Sequence, residues 1–417
     1  VAFGEHQVDR KSRTRIELLR AMIETAATFG YAESSVQEVI AEAGVTRSTF
    51  YAHFRDRDAC FLAALDYLAD AAVEPGRKAR TAGVVRALID FAERDLPGAK
   101  LLFVESLAGG ENALRQRERL RGRLEAAVAE PEAAVPVAVS RAVIGGVLRL
   151  LAMRLRRGDP DLRGLGEDLV TWIGTYGEDV TPTRPALPAG AIKPAALSHL
   201  ETPSAQRGGR HRLSHAELAR SQRLRILRAT AACSYERGYS KVRVADITAE
   251  AQVSRKAFYQ QFQHKAEAAT EANEALFQAA LSACAGAFFG AGSWPERVWA
   301  GGSALLAFLS AHPRDAHLGF VETHAIGPEA ARHVYDRLEA FTLFLEEGFR
   351  HRPEAEALPR SISEALAAVM FELAFQDLRE HGDLEQLLKS LPLLAYTILA
   401  PFMGAEAASA FMGTKTG

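Results

Sequence analysis

A pattern of twenty residues occurs twice in this chain: Ser35 to Phe54 (SVQEVIAEAGVTRSTFYAHF) returns as Arg243 to Phe262 (RVADITAEAQVSRKAFYQQF), at an offset of 208 and without insertion. Self-similarity at so long a period implies two copies of one domain. The duplication runs further, because Leu88 to Phe91 (LIDF) and Phe103 to Ser106 (FVES) correspond to Leu305 to Phe308 (LLAF) and Phe320 to Thr323 (FVET), at a common offset of 217. The 417 residues also exceed the length at which a single core stops growing, so two domains of about 200 residues are expected.

Apolar residues recur at three- and four-residue steps and alternating strand patterns are missing, which predicts an all-α fold of two tandem repeats. Ile16, Leu19, Ile23 and Ala27 form one stripe, and Val36, Val39, Ile40 and Ala43 a second; their counterparts are Leu224, Leu227, Ala231 and Tyr235, then Val244, Ile247 and Ala251. Each pair of stripes predicts one small core. Pro182, Pro185, Pro188, Pro194 and Pro203 crowd a stretch with little that packs, as expected of an extended inter-domain linker. The expected domains are a first head at 10–68, a first helical body at 69–180, the linker at 181–212, a second head at 213–276 and a second body at 277–413.

Composition narrows the class. Apolar content of 48% with 24% charged residues is ordinary for a globular chain, and no apolar run reaches the roughly 20 residues of a membrane span. Cys60, Cys233 and Cys284 lack metal-ligand spacing and read as buried apolar residues in a reducing compartment. No signal pattern opens the chain, which predicts a cytoplasmic address. The net charge is only −2, yet it is unevenly placed. Arg10, Lys11, Arg13 and Arg15 precede the first repeat; Arg207, Arg210, Arg212, Arg220, Arg223, Arg225, Arg228, Lys241, Arg243, Arg255, Lys256 and Lys265 precede or occupy the second. That density suggests a phosphate-binding surface.

The local chemistry of the repeat is that of two short helices around a tight turn. Ser35-Val36-Gln37-Glu38 fits a capping box, Gly44 accepts the positive φ that ends the first helix, and Thr46 caps the second, Arg47 to Phe54. The second copy replaces the turn glycine with Gln252 and the capping hydroxyl with Arg243, each at a cost on the order of 1 kcal/mol.

Gly30 to Ala59 (GYAESSVQEVIAEAGVTRSTFYAHFRDRDA) resembles the helix-turn-helix DNA-binding domain of the TetR family of bacterial transcriptional regulators, and Gly238 to Glu267 resembles a second, looser copy. The resemblance implies that Arg47, Ser48 and Thr49 face base edges and that Tyr51, His53 and Arg57 bond phosphates, with the caps Ser35 and Thr46 beside them. In the second copy Ser254, Arg255, Lys256, Tyr259, Gln261 and Lys265 take the matching places. Phe50 and Phe54 are expected in the core.

The resemblance further implies a double-stranded DNA operator as partner, a small-molecule effector, no cofactor, and pairing through the last two helices of each body. Those helices are expected at Val137 to Arg157 with Leu162 to Tyr176, and at Ile362 to His381 with Leu384 to Phe402. One chain then acts as an intramolecular pseudo-dimer, or two chains form a homodimer with four heads. Candidate effector contacts are Phe103, Glu105, Arg149, Met153 and Trp172 in the first body, and Trp299, Phe320, Glu322, His324, Tyr335 and Phe341 in the second. No catalytic or metal residue is expected: the chain lacks a P-loop, GxGxxG, HExxH and GxSxG, and His312, His317 and His324 are not spaced for one helical face. Two other readings stay open, an enzyme without a known motif and a protein-interaction module that keeps helix-turn-helix geometry.

Overall fold

The computed structural model describes residues 10–128, 135–158, 161–176, 214–380 and 384–416. The expected linker, with Arg207, Arg210 and Arg212 near its end, lies outside them. The chain divides into two compact units, Val1–Gly174 and Thr175–Gly417, and every regular element among the described residues is helical. None of these helices is long and apolar enough to cross a membrane.

Unit 1 opens with α1 (Arg10–Phe29), α2 (Val36–Ala43), α3 (Arg47–His53) and α4 (Arg57–Val73). The expected capping box starts α2: the Ser35 N–H donates to Glu38 Oε2 at 2.6 Å, and the Glu38 N–H to Ser35 Oγ at 3.3 Å. Gly44 ends it at φ +61°. Thr46 caps α3 and Asp56 caps α4. The head's core holds Leu18, Leu19, Met22, Ile23, Val39, Phe50, Phe54 and Phe61, all buried. The flanks of the expected stripes, Ile16, Ala27, Val36, Ile40 and Ala43, are only half-buried.

The body of unit 1 comprises α5 (Thr81–Arg94), α6 (Leu96–Ala99), α7 (Ser106–Ala108), α8 (Gly110–Val128), α9 (Val137–Arg157) and α10 (Leu162–Ile173). Between α6 and α7 the chain widens into π-helical turns, Lys100–Glu105. Unit 2 repeats this widening at Leu318–Glu322. Wide turns of this kind are uncommon and often sit at functional positions.

Unit 2 runs α11 (His215–Arg237), α12 (Val244–Glu250), α13 (Arg255–Tyr259), α14 (Lys265–Gly290), α15 (Trp294–Ala311), α16 (Pro313–His317), α17 (Thr323–Ile326) and α18 (Pro328–Thr342). A 3-10 stretch, Leu343–Arg350, leads to α19 (Pro353–Glu356), α20 (Ser361–Glu380), α21 (Leu384–Lys389), α22 (Leu391–Met403) and α23 (Ala405–Thr416). The core of its head gathers Ile226, Leu227, Ile247, Phe258 and Phe262.

Two expectations need correction. Tyr235 is not core: it is 40% exposed, and its ring meets His317 edge-on at 5.2 Å. Cys233 and Tyr239 fill the core at this end of α11, leaving the Tyr235 phenol to water. The single helix expected from Leu384 to Phe402 is two helices: Pro392 falls in the first turn of the second, where a missing N–H costs nothing, and the Ser390 hydroxyl at the break donates to Asp377 Oδ2 at 2.6 Å.

The turn of the second head keeps the left-handed conformation without its glycine. Gln252 has φ +51°. An arginine reaches in from α11: Arg225 Nη1 donates to the carbonyls of Ala251 at 3.0 Å and Gln252 at 3.3 Å, satisfying helix-end oxygens that favour a cation. Replacing Gln252→Gly is expected to stabilise the chain by up to about 1 kcal/mol, read as a higher urea midpoint. Gly44→Gln, with no such arginine, should cost about 1–2 kcal/mol; an equal effect at both turns would show that Arg225 contributes nothing.

Candidate nucleic-acid interface

Each head exposes a short helix whose inner face is pinned to the core. On α3, Phe50 is buried while Arg47 and Ser48 are exposed and the Tyr51 ring is 45% exposed, with the Arg47 guanidinium 5.7 Å from its centroid. Thr46 Oγ1 lies 2.8 Å from Thr49 Oγ1 and 2.9 Å from Ser48 Oγ, so the three hydroxyls form one network at the N-terminus of the helix. Thr49 and His53 are half-buried and Ser35 is exposed. On α13, Ser254 caps through Ala257 N at 3.1 Å, Arg255 and Lys256 are exposed, and Tyr259 is 58% exposed.

An exposed face of this composition, arginine or lysine with hydroxyl and phenol groups on one short helix, presents donors that suit guanine edges and phosphate oxygens. The two faces are not equivalent. The second helix has five residues against seven in the first, and Ala257, where Thr49 stands in the other copy, is buried.

Several cations of the expected set turn inward instead. Arg57 Nη1 donates to the carbonyls of Tyr31 at 3.1 Å and Ser34 at 2.6 Å, and its guanidinium stacks 4.3 Å from the Tyr31 ring. Lys265 does the same in the second head, donating to Tyr239 and Val242 carbonyls at 2.9 Å each and lying 4.3 Å from the Tyr239 ring. Burial lowers the Lys265 ammonium and pushes the Tyr239 phenol up to about 12. Burial, reinforced by a hydrogen bond to the Asp58 carboxylate, also raises Tyr31.

Arg223 is paired with Glu271, Arg225 holds the turn, and Gln261 donates to the Ala219 carbonyl at 3.2 Å. The charge left facing outward in the second head is therefore smaller than the sequence count, with Arg220, Lys241, Arg243, Arg255 and Lys256 exposed.

Glu105 holds a position that sequence reading did not anticipate. Its Oε2 accepts the Tyr31 N–H at 2.8 Å, so the end of the π-helical turns grips the head beside Gly30. Glu322 stands at the matching place, 3.6 Å from where a Cβ on Gly238 would sit. The shared FVE spacing before Ser106 and Thr323 was the available signal. The other effector candidates are distributed through the bodies: Phe103, Arg149 and Trp172 are buried in unit 1; in unit 2 Phe320 stacks on Phe277 and Phe371, and His324 faces Tyr335 at 6.1 Å. Trp299 and Glu322 are half-buried.

The sequence pattern of bacterial regulatory proteins of the tetR family matches residues 18–64 and again residues 226–271. The family's pattern thus occurs in two tandem copies, one in each head. Both matched stretches span the helix-turn-helix described above, so α3 and α13 each lie inside a matched stretch. A solved crystal structure of a bacterial regulatory protein in the tetR family from Rhodococcus RHA1 is similar to 42% of this chain and 96% of its own length, at 19% identity and a TM-score of 0.36. No curated protein matches the chain.

Proposed function

We propose that this protein is a cytoplasmic, ligand-responsive transcriptional repressor of the tetR family whose single chain reads a two-half-site operator with two unlike recognition helices. The supporting observation is that both heads keep the same scaffold, a capped helix, a left-handed turn and an inward cation on the following helix, while the outward residues differ. Exposed Ser48 in one head stands against exposed Lys256 in the other, and half-buried Thr49 against buried Ala257, so the two half-sites differ in sequence. Joining two heads by the 181–212 segment makes the second docking intramolecular, at an effective concentration of about a millimolar. Helical bodies at 69–180 and 277–413 hold the effector, and its binding shifts the population of DNA-competent states.

A footprint on DNA upstream of the protein's own gene tests this. Protection of two successive major grooves on one face, about 34–36 Å apart, by a species near 45.2 kDa in light scattering is the expected result. Twice that mass would favour a homodimer with four heads. A footprint limited to one half-site would favour a second reading, in which only the first head reads DNA. The shorter α13 and the inward Gln261 are the observations on that side.

A further inference from the structure

Unit 2 contains two adjoining spaces of opposite character, and Phe341 of α18 stands in the wall of both. The inner one is an apolar cavity of about 50 Å³ bordered by Leu305 of α15, Ala367 of α20, Ala395 and Ile398 of α22, and Phe344. Its one polar group is the Cys284 thiol, which burial pushes up to about 12 and so keeps protonated. The outer one is a groove of about 260 Å³ lined by Glu274, Phe277, Gln278 and Leu281 of α14 and by His333, Asp336 and Arg337 of α18.

The groove is unevenly satisfied. Arg337 binds Glu274 through Nη2 and lies over the Phe277 ring at 4.9 Å, but its buried Nη1 has no hydrogen-bond partner. A buried donor left unpaired costs about 1–3 kcal/mol, which a ligand acceptor would recover. The guanidinium already has its counter-ion, and Asp336 adds a second carboxylate to the lining, so a ligand anion meets repulsion. A ligand cation would meet Arg337 itself.

We propose that groove and cavity form one site for an uncharged amphiphile, with an acceptor oxygen at Arg337 Nη1 and an apolar chain passing Phe341 into the inner cavity. The inner wall can yield to admit the chain. Phe344 and Leu345 belong to the 3-10 stretch Leu343–Arg350, eight residues in a geometry that rarely persists beyond three or four, and Phe289 beside Phe344 is already 71% exposed. The proposal rests on the effector reading only for its consequence on DNA.

Titration calorimetry of the full chain with 1-octanol, octanoate and octylammonium at pH 7.5, without DNA, tests the site. Octanol should bind at least tenfold more tightly than either ion, and Ala395→Phe, which fills the cavity, should abolish that binding. Should Ala395→Phe fail to fold, Leu305→Ala offers a second check, since an enlarged cavity should favour 1-decanol over 1-octanol more than the parent does. The paired change Glu274→Gln with Arg337→Gln, which removes the donor and its counter-ion together, should erase the preference for the alcohol. No binding of octanol, equal binding of the three head groups, or a folded Ala395→Phe chain that binds octanol normally would each overturn the proposal. Operator binding without octanol binding sinks this inference alone; octanol binding without operator binding sinks the regulator reading and leaves the site.

Discussion

Charge reversal at Arg255 and Lys256, both to glutamate, is expected to weaken operator binding at least about a hundredfold near physiological salt and to reduce the slope of log K against log salt by about 1 to 2. Each lost phosphate contact accounts for about 0.9 of that slope, and each base contact for about 1–3 kcal/mol, where 1.4 kcal/mol is tenfold. Both side chains are exposed and neither makes a hydrogen bond or ion pair with another described residue, so the fold has no reason to fail. The matching change in the first head, Arg47→Glu, isolates its contribution. Gel shifts over a salt series would show which picture holds. Unchanged affinity and slope in the Arg255 and Lys256 variant would leave the first head alone on the DNA.

Truncating Phe258 to alanine should remove the second head by another route. The ring is fully buried, packed 5.7 Å from Phe262 and edge-on to Tyr259 at 5.4 Å. Loss of such a ring costs about 3–5 kcal/mol, comparable to the whole stability of a small helical domain. Calorimetry should show a separate, lower transition for this head, down by at least about 10 °C, and the footprint should shrink to one half-site. Phe50→Ala is the equivalent in unit 1. A Phe258→Ala chain with an unaltered melting profile would mean that the head is held by its body, through contacts such as the one Glu105 makes in the first repeat.

The heads were legible in the sequence because their signals are local. Ser35 and Glu38 are three residues apart, Gly44 takes the positive φ expected of it, and Phe50 and Phe54 are buried where the pattern put them. Groups with two possible partners were not legible. Arg57 and Lys265 match positions that bond phosphates, but a cation at the start of one helix can equally bind the carbonyls closing the preceding loop, and nothing in the order of residues distinguishes the two. Gln261 has the same ambiguity. Helix periodicity also passes smoothly through π-helical turns, so Lys100–Glu105 and Leu318–Glu322 left no mark on the apolar pattern, and the grip of Glu105 on the Tyr31 N–H went unseen. Ser214 and Glu217 form a capping box that opens α11 at 3.2 and 2.8 Å. That signal is local too, set among the surrounding basic residues.

The arginine that steadies the second turn makes the duplicated halves unequal in a heritable way. The position matching Arg225 in the first repeat is Glu17, whose carboxylate would set oxygen against oxygen at the end of α2. A recombination event copying the glutamine of one repeat over the glycine of the other, without its distant companion, would yield a damaged hybrid. Exchange between the copies is thereby one-directional: glycine copied into the second repeat would be tolerated, whereas glutamine copied into the first would not.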